Sequence, residues 1–424
     1  IISKKSNLEL FHPYCKQNHA IKWSKEDSID ELEYLNGLVL KRKFNNWYEN
    51  EGYDLYINKK GKPASHVSWR LQEKNNKCKI SIIISPYLYN QRRKMINFLP
   101  FFIFIKPSLT IATNIKAQEL RRAGRDIIVL AAGEPDFDTP DHIKKAAIKA
   151  IDEGFTKYVP GKGTPDLKVA IQKKFKEDNS LDYDLANITV GVGGKHIIYN
   201  AFSATINSGD EVIIPAPYWV SYPDIVVLND GNPVVVECGE SSGFKLLPED
   251  LEKNISSKTK WLMLNSPSNP TGSMYTKEEL MALGEVLKKH EHIYVLSDDI
   301  YEKIVYDGNT FHTIVYVCLF LFDRTLTMNG LSKSYCMTGW RVGYAAGPTN
   351  IINAMNKVQS QNVSSTASIS MAASVEALNG DQSFIASNNE SFLRRRNLVV
   401  KHLNETPGLS CRVPEGAFYV FASC

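Results

Sequence analysis

The chain has 424 residues, of which 43% are hydrophobic and 23% are charged, a composition typical of a globular protein with more than one domain. Its net charge of +4 is unevenly distributed, because residues 1–104 contain 18 Lys and Arg against 10 Asp and Glu, whereas the remaining residues contain 32 against 36. The main body therefore lacks the positive charge expected of a nucleic-acid-binding protein.

Residues 1–104 are rich in Lys, Asn, Tyr and Ile, and their composition differs from that of the rest of the chain. They include a strand-like run at 78–85 and a basic cluster at 91–94. The pattern allows either a small α+β unit or a segment without fixed structure, and it indicates no function. We therefore assign residues 1–104 as a non-catalytic extension. Because the sequence begins at Ile1 rather than at Met, we expect this front to be incomplete or to come from a fused reading frame.

From residue 105 onward, helical and strand patterns alternate, as is typical of an α/β domain. We predict helices at 141–153, 164–177, 196–206, 277–290 and 383–403, and strands at 188–192, 211–215, 261–264 and 294–297. The last two strands are short apolar runs of the kind found at the centre of parallel sheets. Polar loops follow several of these strands, where ligands usually bind in open α/β sheets.

Two further apolar runs, at 98–105 and 315–322, are well below the roughly 18–20 residues needed to span a bilayer. Each is predicted to be a buried strand, with a divergent loop or a local frameshift as the alternatives at 315–322, and no membrane association is expected. The seven cysteines are scattered and form no CxxC pair. This distribution argues against a disulfide framework and a zinc site, and it favours a reducing compartment, the cytoplasm.

The most informative segment is residues 331–343, which places Lys333 eight residues before Arg341 among small residues and turns. A lysine amine that condenses with an aldehyde needs a fixed, partly desolvated position. A nearby arginine can hold a dianionic phosphate bidentately. Together they suggest pyridoxal phosphate bound as a Schiff base.

Two loops add candidate cofactor contacts. The glycine-rich turn at 191–195 lies between a predicted strand and a predicted helix, where backbone N–H groups can bind an anion. It matches neither the Walker pattern nor the dinucleotide fingerprint, and the alternative is a turn that only connects two elements. Trp219 opens the next connection, either as a stacking partner for a planar ring or as an ordinary half-buried core tryptophan.

Two more loops follow the central strands. In residues 265–272, two prolines and a glycine fix the backbone, which suits a side-chain amide that recognises an oxyanion; the alternative is an ordinary Asn-Pro turn. Asp298 ends a predicted strand, where a buried carboxylate can keep a pyridine nitrogen protonated. Asp299 competes for that role, and Asp298 is alternatively a helix cap. Tyr301 is placed to donate to the phenolate oxygen of the ring.

Together these segments resemble the class I (fold-type I) pyridoxal-phosphate-dependent aminotransferases, specifically the bacterial-type aspartate aminotransferases. The likeness begins at 106–108, includes Gly-Glu-Pro-Asp-Phe-Asp-Thr-Pro at 133–140 and ends at Gly-Ala-Phe-Tyr, 416–419. It implies an α/β fold with a mostly parallel central sheet flanked by helices. The implied parts are an N-terminal arm with part of the small domain at 105–146, a large cofactor-binding domain at 147–382, and the start of a C-terminal small α/β domain at 383–424.

The resemblance also implies catalytic and ring-binding roles. Lys333 would form the Schiff base with the cofactor and then move the proton. Asp298 would pair with the pyridine nitrogen, while Tyr301 and Asn269 would bond the phenolate oxygen. Trp219 would stack on the ring. The implied catalytic residues are Lys333, Tyr301 and Asp298.

Phosphate and substrate contacts follow in the same way from the resemblance. The implied phosphate contacts are Arg341, Gly193, Gly194, Lys195 and, from the neighbouring subunit of a homodimer, Tyr158. The implied substrate contacts are Gly133, Trp219, Asn269, Lys195 and Thr110, of which Lys195 and Thr110 would recognise the distal carboxylate.

The implied reaction is ping-pong transfer of an amino group between aspartate, or a similar dicarboxylic amino acid, and 2-oxoglutarate. The partners would be amino acids and 2-oxo acids, without nucleic acid or membrane. Prephenate is an alternative substrate. The same motifs also fit a lyase or synthase on this fold, and they fit a remnant or fusion product that binds the cofactor with impaired catalysis.

The end of the chain departs from the family pattern. Relatives continue beyond the Gly-Ala-Phe-Tyr strand and supply an arginine for the substrate α-carboxylate, so we expect a truncated small domain, cofactor binding and slow transamination. Arg394, Arg395, Arg396 and Arg412 do not occupy the matching motif. The first three are predicted to form a solvated face of the helix at 383–403.

Overall fold

The structure is a computed structural model that describes residues 15–22, 28–34, 39–48, 52–58, 65–74, 77–85, 109–130 and 133–424. The chain divides into two compact units, Ile1–Ile105 and Lys106–Cys424. The basic cluster predicted at 91–94 and the apolar run at 98–105 lie outside the described residues.

The first unit contains a six-stranded sheet in which each strand pairs antiparallel with the next one along the chain. The strands are β1 (Cys15–Lys22), β2 (Ser28–Tyr34), β3 (Val39–Tyr48), β4 (Gly52–Asn58), β5 (Ser65–Lys74) and β6 (Lys77–Ser85). The strand predicted at 78–85 is confirmed as β6. The described segments of this unit are all strands.

The second unit is built on a seven-stranded sheet with the order β7-β13-β12-β11-β10-β8-β9. The strands are β7 (Ile188–Gly191), β8 (Glu211–Ala216), β9 (Asn232–Glu237), β10 (Thr259–Asn265), β11 (Tyr294–Asp298), β12 (Thr325–Gly330) and β13 (Gly343–Ala346). β13 runs antiparallel to both of its neighbours, and the remaining pairs are parallel. The four strands predicted for this unit are confirmed, as is the mostly parallel sheet.

Helices follow most of the strands. They are Leu109–Arg122, Asp141–Asp152, Pro165–Asn179, Gly194–Thr205, Ser221–Leu228, Pro248–Asn254, Lys277–Lys288, Ile314–Val317, Thr349–Asn362, Ser368–Asn379 and Ser383–Glu405. The local sequence determines where some helices begin. Before the helix that begins at Pro165, the Thr164 side chain accepts a hydrogen bond from Leu167 N. Thr276 and Glu279 form a reciprocal capping box. The last described strands are β14 (Ser410–Cys411) and β15 (Ala422–Ser423).

Successive residues along the strands of this sheet belong alternately to two different hydrophobic clusters. Ile213 belongs to one cluster, whereas Val212 and Ile214 belong to the other. Because successive strand side chains point to opposite faces, both faces of this sheet are covered. Among the described residues, no helix is both long and apolar enough to cross a membrane.

The strand predicted at 315–322 is wrong. This stretch forms the helix Ile314–Val317 and the 3-10 segment Leu319–Arg324, and strand β12 begins only afterwards. Arg324 fixes the turn by donating from Nη1 to His290 O at 2.8 Å and from Nη2 to Leu287 O at 2.8 Å. An apolar run of this length does not distinguish a strand from a buried helical turn.

A buried ion pair ties the helix Pro165–Asn179 to the turn that follows β11. The Lys174 ammonium contacts the Glu302 carboxylate, and their side chains are only 3% and 6% exposed. Asn179 completes the cluster, because its Oδ1 accepts from Lys174 at 2.6 Å and its Nδ2 donates to Glu302 Oε2 at 2.8 Å.

We expect Lys174→Met to lower the free energy of unfolding by about 3–5 kcal/mol, because it leaves the Glu302 carboxylate buried without its cation. Guanidinium unfolding followed by fluorescence measures the loss. Lys176→Met is the matched control: Lys176 contacts Asp182 in a pair whose side chains are 65% and 76% exposed, and its loss should cost less than about 1 kcal/mol. Equal losses in the two variants would contradict this assignment.

Candidate active site

One cavity of about 720 Å³ opens where the loops at one edge of the seven-stranded sheet meet. The carboxyl ends of parallel strands share an edge, and β13 contributes its amino end to the same edge because it runs in the opposite direction. Residues after β7, β10, β11 and β12, and residues before β13, therefore face one space. The predicted site residues that line it are Gly133, Gly194, Lys195, Trp219, Asn269, Asp298, Tyr301, Lys333 and Arg341.

Lys333 lies in the loop after β12, and its ammonium group donates to the carbonyl oxygen of Gly133. The amine lies 5.8 Å from the centre of the Tyr301 ring and 5.7 Å from that of Phe418. The pKa of Lys333 is lowered to about 8, chiefly by burial and to a small extent by the Arg341 charge, against the opposing charges of Glu134 and Asp298. A substantial fraction of this amine is therefore neutral, and nucleophilic, in mildly alkaline solution.

Asp298 is the last residue of β11 and is 4% exposed. Its Oδ2 accepts from the Tyr222 hydroxyl at 2.6 Å, and its Oδ1 accepts from Ile300 N at 3.3 Å. Burial raises its pKa to about 6, against the hydrogen bonds from Tyr222 and Ile300. The group is therefore mostly ionised above neutral pH and can pair with a buried cation.

The structure places Asp298 in the cavity, whereas Asp299 does not line it. Asp299 is buried behind the strand end, where its Oδ1 accepts from Ser297 Oγ at 2.6 Å. Tyr222 was missed by the sequence reasoning. The signal that could have found it is its position three residues after Trp219, at the start of the helix Ser221–Leu228. The two rings meet edge to face with centres 5.4 Å apart.

Arg341 lies against the glycine turn that precedes the helix Gly194–Thr205. Gly193 has φ +82°, and a Cβ atom there would come within 2.5 Å of Arg341 Nη2. The guanidinium donates from Nη1 to Thr338 O at 3.0 Å. A helix N-terminus facing a fixed guanidinium group is an arrangement suited to binding an anion.

Lys195 follows the same turn and lies over the Trp219 ring, with its Nζ 4.8 Å from the ring centre. Burial, followed by the Arg341 charge, lowers the pKa of Lys195. The Trp219 ring is thus exposed to the cavity on a wall that also carries positive charge.

The loop after β10 is held to β11 by a side-chain amide. Asn265 Oδ1 accepts from Asn269 N at 2.8 Å, and Asn265 Nδ2 donates to the carbonyl oxygen of Asp298 at 2.9 Å. These bonds fix Asn269 beside the carboxylate-bearing strand end. Asn265 also lines the cavity, although the sequence reasoning assigned it no role.

Three predicted residues remain. Gly193 does not line the cavity itself but lies against Arg341, which does. Tyr158 is 98% exposed and does not line the cavity of its own chain. Thr110 belongs to the helix Leu109–Arg122, but its side chain lies outside the described residues.

The predicted solvated arginine face is wrong for Arg396, which is 8% exposed. Its Nη2 donates to Asp307 Oδ1 at 3.0 Å, and its Nη1 donates to Pro414 O at 2.9 Å. The helix Ser383–Glu405 packs this position against the ring of Tyr306, 5.0 Å from the guanidinium carbon, so a charge can be buried with its partner. Arg394 and Arg395 are exposed, as predicted. None of the three, nor Arg412, lines the cavity.

Comparison with known proteins gives consistent matches. The family model for "Aminotransferase class I and II" matches residues 125–424. An aspartate/prephenate aminotransferase of Cereibacter sphaeroides is 58% identical over 317 residues, which are 75% of this chain and 79% of that protein. An aspartate aminotransferase of Rhizobium meliloti is 54% identical over 309 residues, which are 73% of this chain and 75% of that protein.

Solved structures agree with these sequence matches. The crystal structure of the aspartate aminotransferase from Rhizobium meliloti superposes with a TM-score of 0.74 and 52% identity, covering 76% of this chain and 81% of that one. The Thermus thermophilus aspartate aminotransferase with maleate gives a TM-score of 0.74 at 43% identity, covering 77% of this chain and 85% of that one.

Proposed function

Because the chain belongs to the class I and II aminotransferases, we propose that it uses pyridoxal phosphate to move an amino group between aspartate, or a similar dicarboxylic amino acid, and 2-oxoglutarate. The observation that carries this proposal is the convergence of Lys333, Asp298 and Arg341 on one cavity. Prephenate is the second candidate substrate, since the Cereibacter sphaeroides relative is named an aspartate/prephenate aminotransferase. The names of the relatives favour transamination over a lyase or synthase reaction.

The residues of the cavity fit the proposed cofactor. The buried Asp298 carboxylate would pair with a protonated pyridine nitrogen, and the Trp219 ring would stack on the pyridine ring. Arg341, with the backbone of residues 193–195, would hold the phosphate, and Tyr301 and Asn269 would bond the ring oxygen. When bound, pyridoxal phosphate supplies an electron sink that acidifies the substrate Cα–H bond.

The chain itself supplies the proton transfer. The Lys333 amine lies inside the cavity, and burial keeps its pKa near 8, so it can accept and return a proton close to neutral pH. Its contact with the Gly133 carbonyl oxygen orients the amine. Aromatic rings on two sides restrict the access of water to it.

The same proposal assigns the substrate contacts and the assembly. Lys195, which lies over Trp219 in the cavity wall, would bind the distal carboxylate together with Thr110, and Gly133 would line the α-carboxylate site. The 98% exposure of Tyr158 supports a role in the cavity of a partner subunit, in a homodimer. The free, buried thiols of Cys238 and Cys318 support a cytoplasmic location.

The pH dependence of cofactor loading tests the proposal. Only the neutral amine is a nucleophile, so the loading rate should rise from pH 7 to 9 with a midpoint near 8, rather than near the ordinary lysine value of 10.5. The measurement is the appearance of the bound-cofactor absorbance after pyridoxal phosphate is added to cofactor-free protein. Lys333→Ala is the control and should show no such band. A midpoint above pH 10, or a band that persists in Lys333→Ala, would count against the proposal.

Gly193→Ala should weaken the binding of pyridoxal phosphate by at least about tenfold, equivalent to 1.4 kcal/mol. The new methyl group would lie 2.5 Å from Arg341 Nη2 and would displace the guanidinium group. Gly209→Ala is the matched control, because Gly209 has φ +91° but no atom within 4 Å of its Cβ position. Quenching of protein fluorescence measures both affinities. Equal weakening in both variants would assign the effect to backbone strain instead.

A further inference from the structure

We infer that Tyr419 is a positioning residue whose hydroxyl group directs the proton of Tyr301 into the cavity and strengthens the hydrogen bond that Tyr301 donates there. This inference rests on the proposed function, because it concerns the contact between Tyr301 and the ring oxygen of the cofactor. The sequence reasoning assigned Tyr419 no role, although the residue closes the Gly-Ala-Phe-Tyr segment.

The two tyrosines form a hydroxyl pair in the cavity wall. Their oxygen atoms are 2.6 Å apart, and their rings meet edge to face with centres 5.6 Å apart. Both residues line the cavity, and Tyr301 is 3% exposed. Because each hydroxyl group has a single proton, only one of the two can be the donor in this contact.

The acceptors available to each hydroxyl group decide which one would donate when the cofactor is bound. Within the described part of the chain, the Tyr419 hydroxyl has no other hydrogen-bond partner than Tyr301. On its other side it packs on Gly133, where a Cβ atom would lie 2.6 Å from the Tyr419 oxygen. The carbonyl oxygen of Gly133 already accepts from Lys333. Without a ligand, either hydroxyl group can be the donor. With the cofactor bound, its ring oxygen would offer Tyr301 an acceptor, whereas Tyr419 has no second acceptor among the described residues. Tyr419 would then donate to Tyr301, and the Tyr301 proton would point towards the ring oxygen.

This direction has a chemical consequence. A hydroxyl group that accepts one hydrogen bond becomes a stronger donor in the next, because the two bonds polarise each other. Burial raises the pKa of Tyr301 well above its ordinary value and raises that of Tyr419 to about 12, so both groups keep their protons at neutral pH. The other titratable groups that face the pair are Asp298 at the end of β11, Tyr222 on the helix Ser221–Leu228, and Lys333.

Backbone contacts hold Tyr419 in place without a ligand. Ala417 N donates to Ile304 O at 2.9 Å, and Gly416 N donates to Gly272 O at 2.9 Å. The Tyr306 hydroxyl donates to the carbonyl oxygen of Ala417. The segment that carries Tyr419 is thus fastened to the same turn that carries Tyr301.

The test uses the full chain with its cofactor bound. The absorbance of the bound cofactor is followed as a function of pH, and the pH at which half of the change has occurred is the midpoint. Tyr301→Phe should raise this midpoint, because the anionic ring oxygen loses a donor. Tyr419→Phe should raise it by about 0.5–1 pH unit, a roughly three- to tenfold change in the ionisation constant. In the Tyr301→Phe background, adding Tyr419→Phe should produce no further shift. Tyr183→Phe, which removes a buried hydroxyl group that contacts Thr327 Oγ1 and does not line the cavity, should leave the midpoint unchanged.

The outcomes separate this inference from the proposed function. A Tyr419→Phe shift that persists in the Tyr301→Phe background, or no shift in Tyr419→Phe, would overturn the inference while leaving the cofactor assignment intact. A shift in Tyr183→Phe equal to that in Tyr419→Phe would also overturn it, because loss of any buried hydroxyl group would then suffice. Failure of the wild-type protein to show a cofactor band that depends on Lys333 would instead overturn the proposed function.

Discussion

Replacing Lys333 by alanine should lower kcat for transfer between aspartate and 2-oxoglutarate by more than about 10³-fold, because the proposed function makes this one side chain both the nucleophile and the general base. No other amine occupies its position: the only other lysine that lines the cavity, within the described chain, is Lys195, over Trp219. A coupled assay of oxaloacetate formation measures the loss, and the unfolding midpoint checks that the fold is retained.

Lys333→Arg is the matched variant for this experiment. Arginine keeps the positive charge and most of the side-chain volume, but its guanidinium group stays protonated and cannot serve as the base. We expect the arginine variant to be as inactive as the alanine variant. Turnover by either variant within tenfold of the wild-type rate would refute the assignment of Lys333 as nucleophile and base.

Asp298→Asn should lower kcat/KM by about 10²- to 10³-fold, because the amide retains the shape of the side chain but cannot balance a buried cation. The amide oxygen can still accept the 2.6 Å hydrogen bond from Tyr222, so packing should change little. Steady-state kinetics at several cofactor concentrations would separate weaker binding from slower chemistry.

The adjacent carboxylate provides the control. Asp299→Asn removes a carboxyl group that is equally buried but does not line the cavity. Burial raises the pKa of Asp299 to about 7, so the protein already accommodates its protonated, neutral form near neutral pH, which the amide resembles. We expect its kcat/KM to stay within about threefold of wild type. Comparable losses of kcat/KM in both variants would contradict the specific role of Asp298. They would show that either carboxylate at the end of β11 affects kcat/KM.

Much of the candidate site could be predicted, because its residues lie next to strand ends and turns that are recognisable in the local sequence. Asp298 ends a predicted strand and the glycine turn at 193 precedes a predicted helix, whereas strand β12, which precedes Lys333, was not predicted. Parallel strands bring such ends to one edge of the sheet, so the sequence order of the motifs sufficed to predict that they meet. The short apolar strands β10 and β11 were recognisable for the same reason, since both faces of the sheet are buried.

The missed features depend on contacts between distant segments. Tyr222 acquires its partner from β11, and Tyr419 acquires its partner from the turn after β11. The sequence pattern around Tyr222 or Tyr419 does not predict these contacts, because the partners lie far away in the chain. Arg396 was predicted to be exposed because an arginine run on a helix is usually solvated, whereas Asp307 and Pro414 supply it with buried acceptors. At 315–322 the local apolar run was ambiguous, and contacts to the preceding helix decided its conformation.

The reversed direction of β13 also affects the order in which the site can assemble during folding. β12 and β13 are close in sequence and can pair early, with residues 331–342 as the connection. The Gly343–Gly191 pairing joins β13 to β7, much further back in the chain, and long-range pairing of this kind closes slowly. Gly193 meets Arg341 only across that last pairing. We therefore expect capture of an anion at this corner to come late in folding, after β13 has paired with β7.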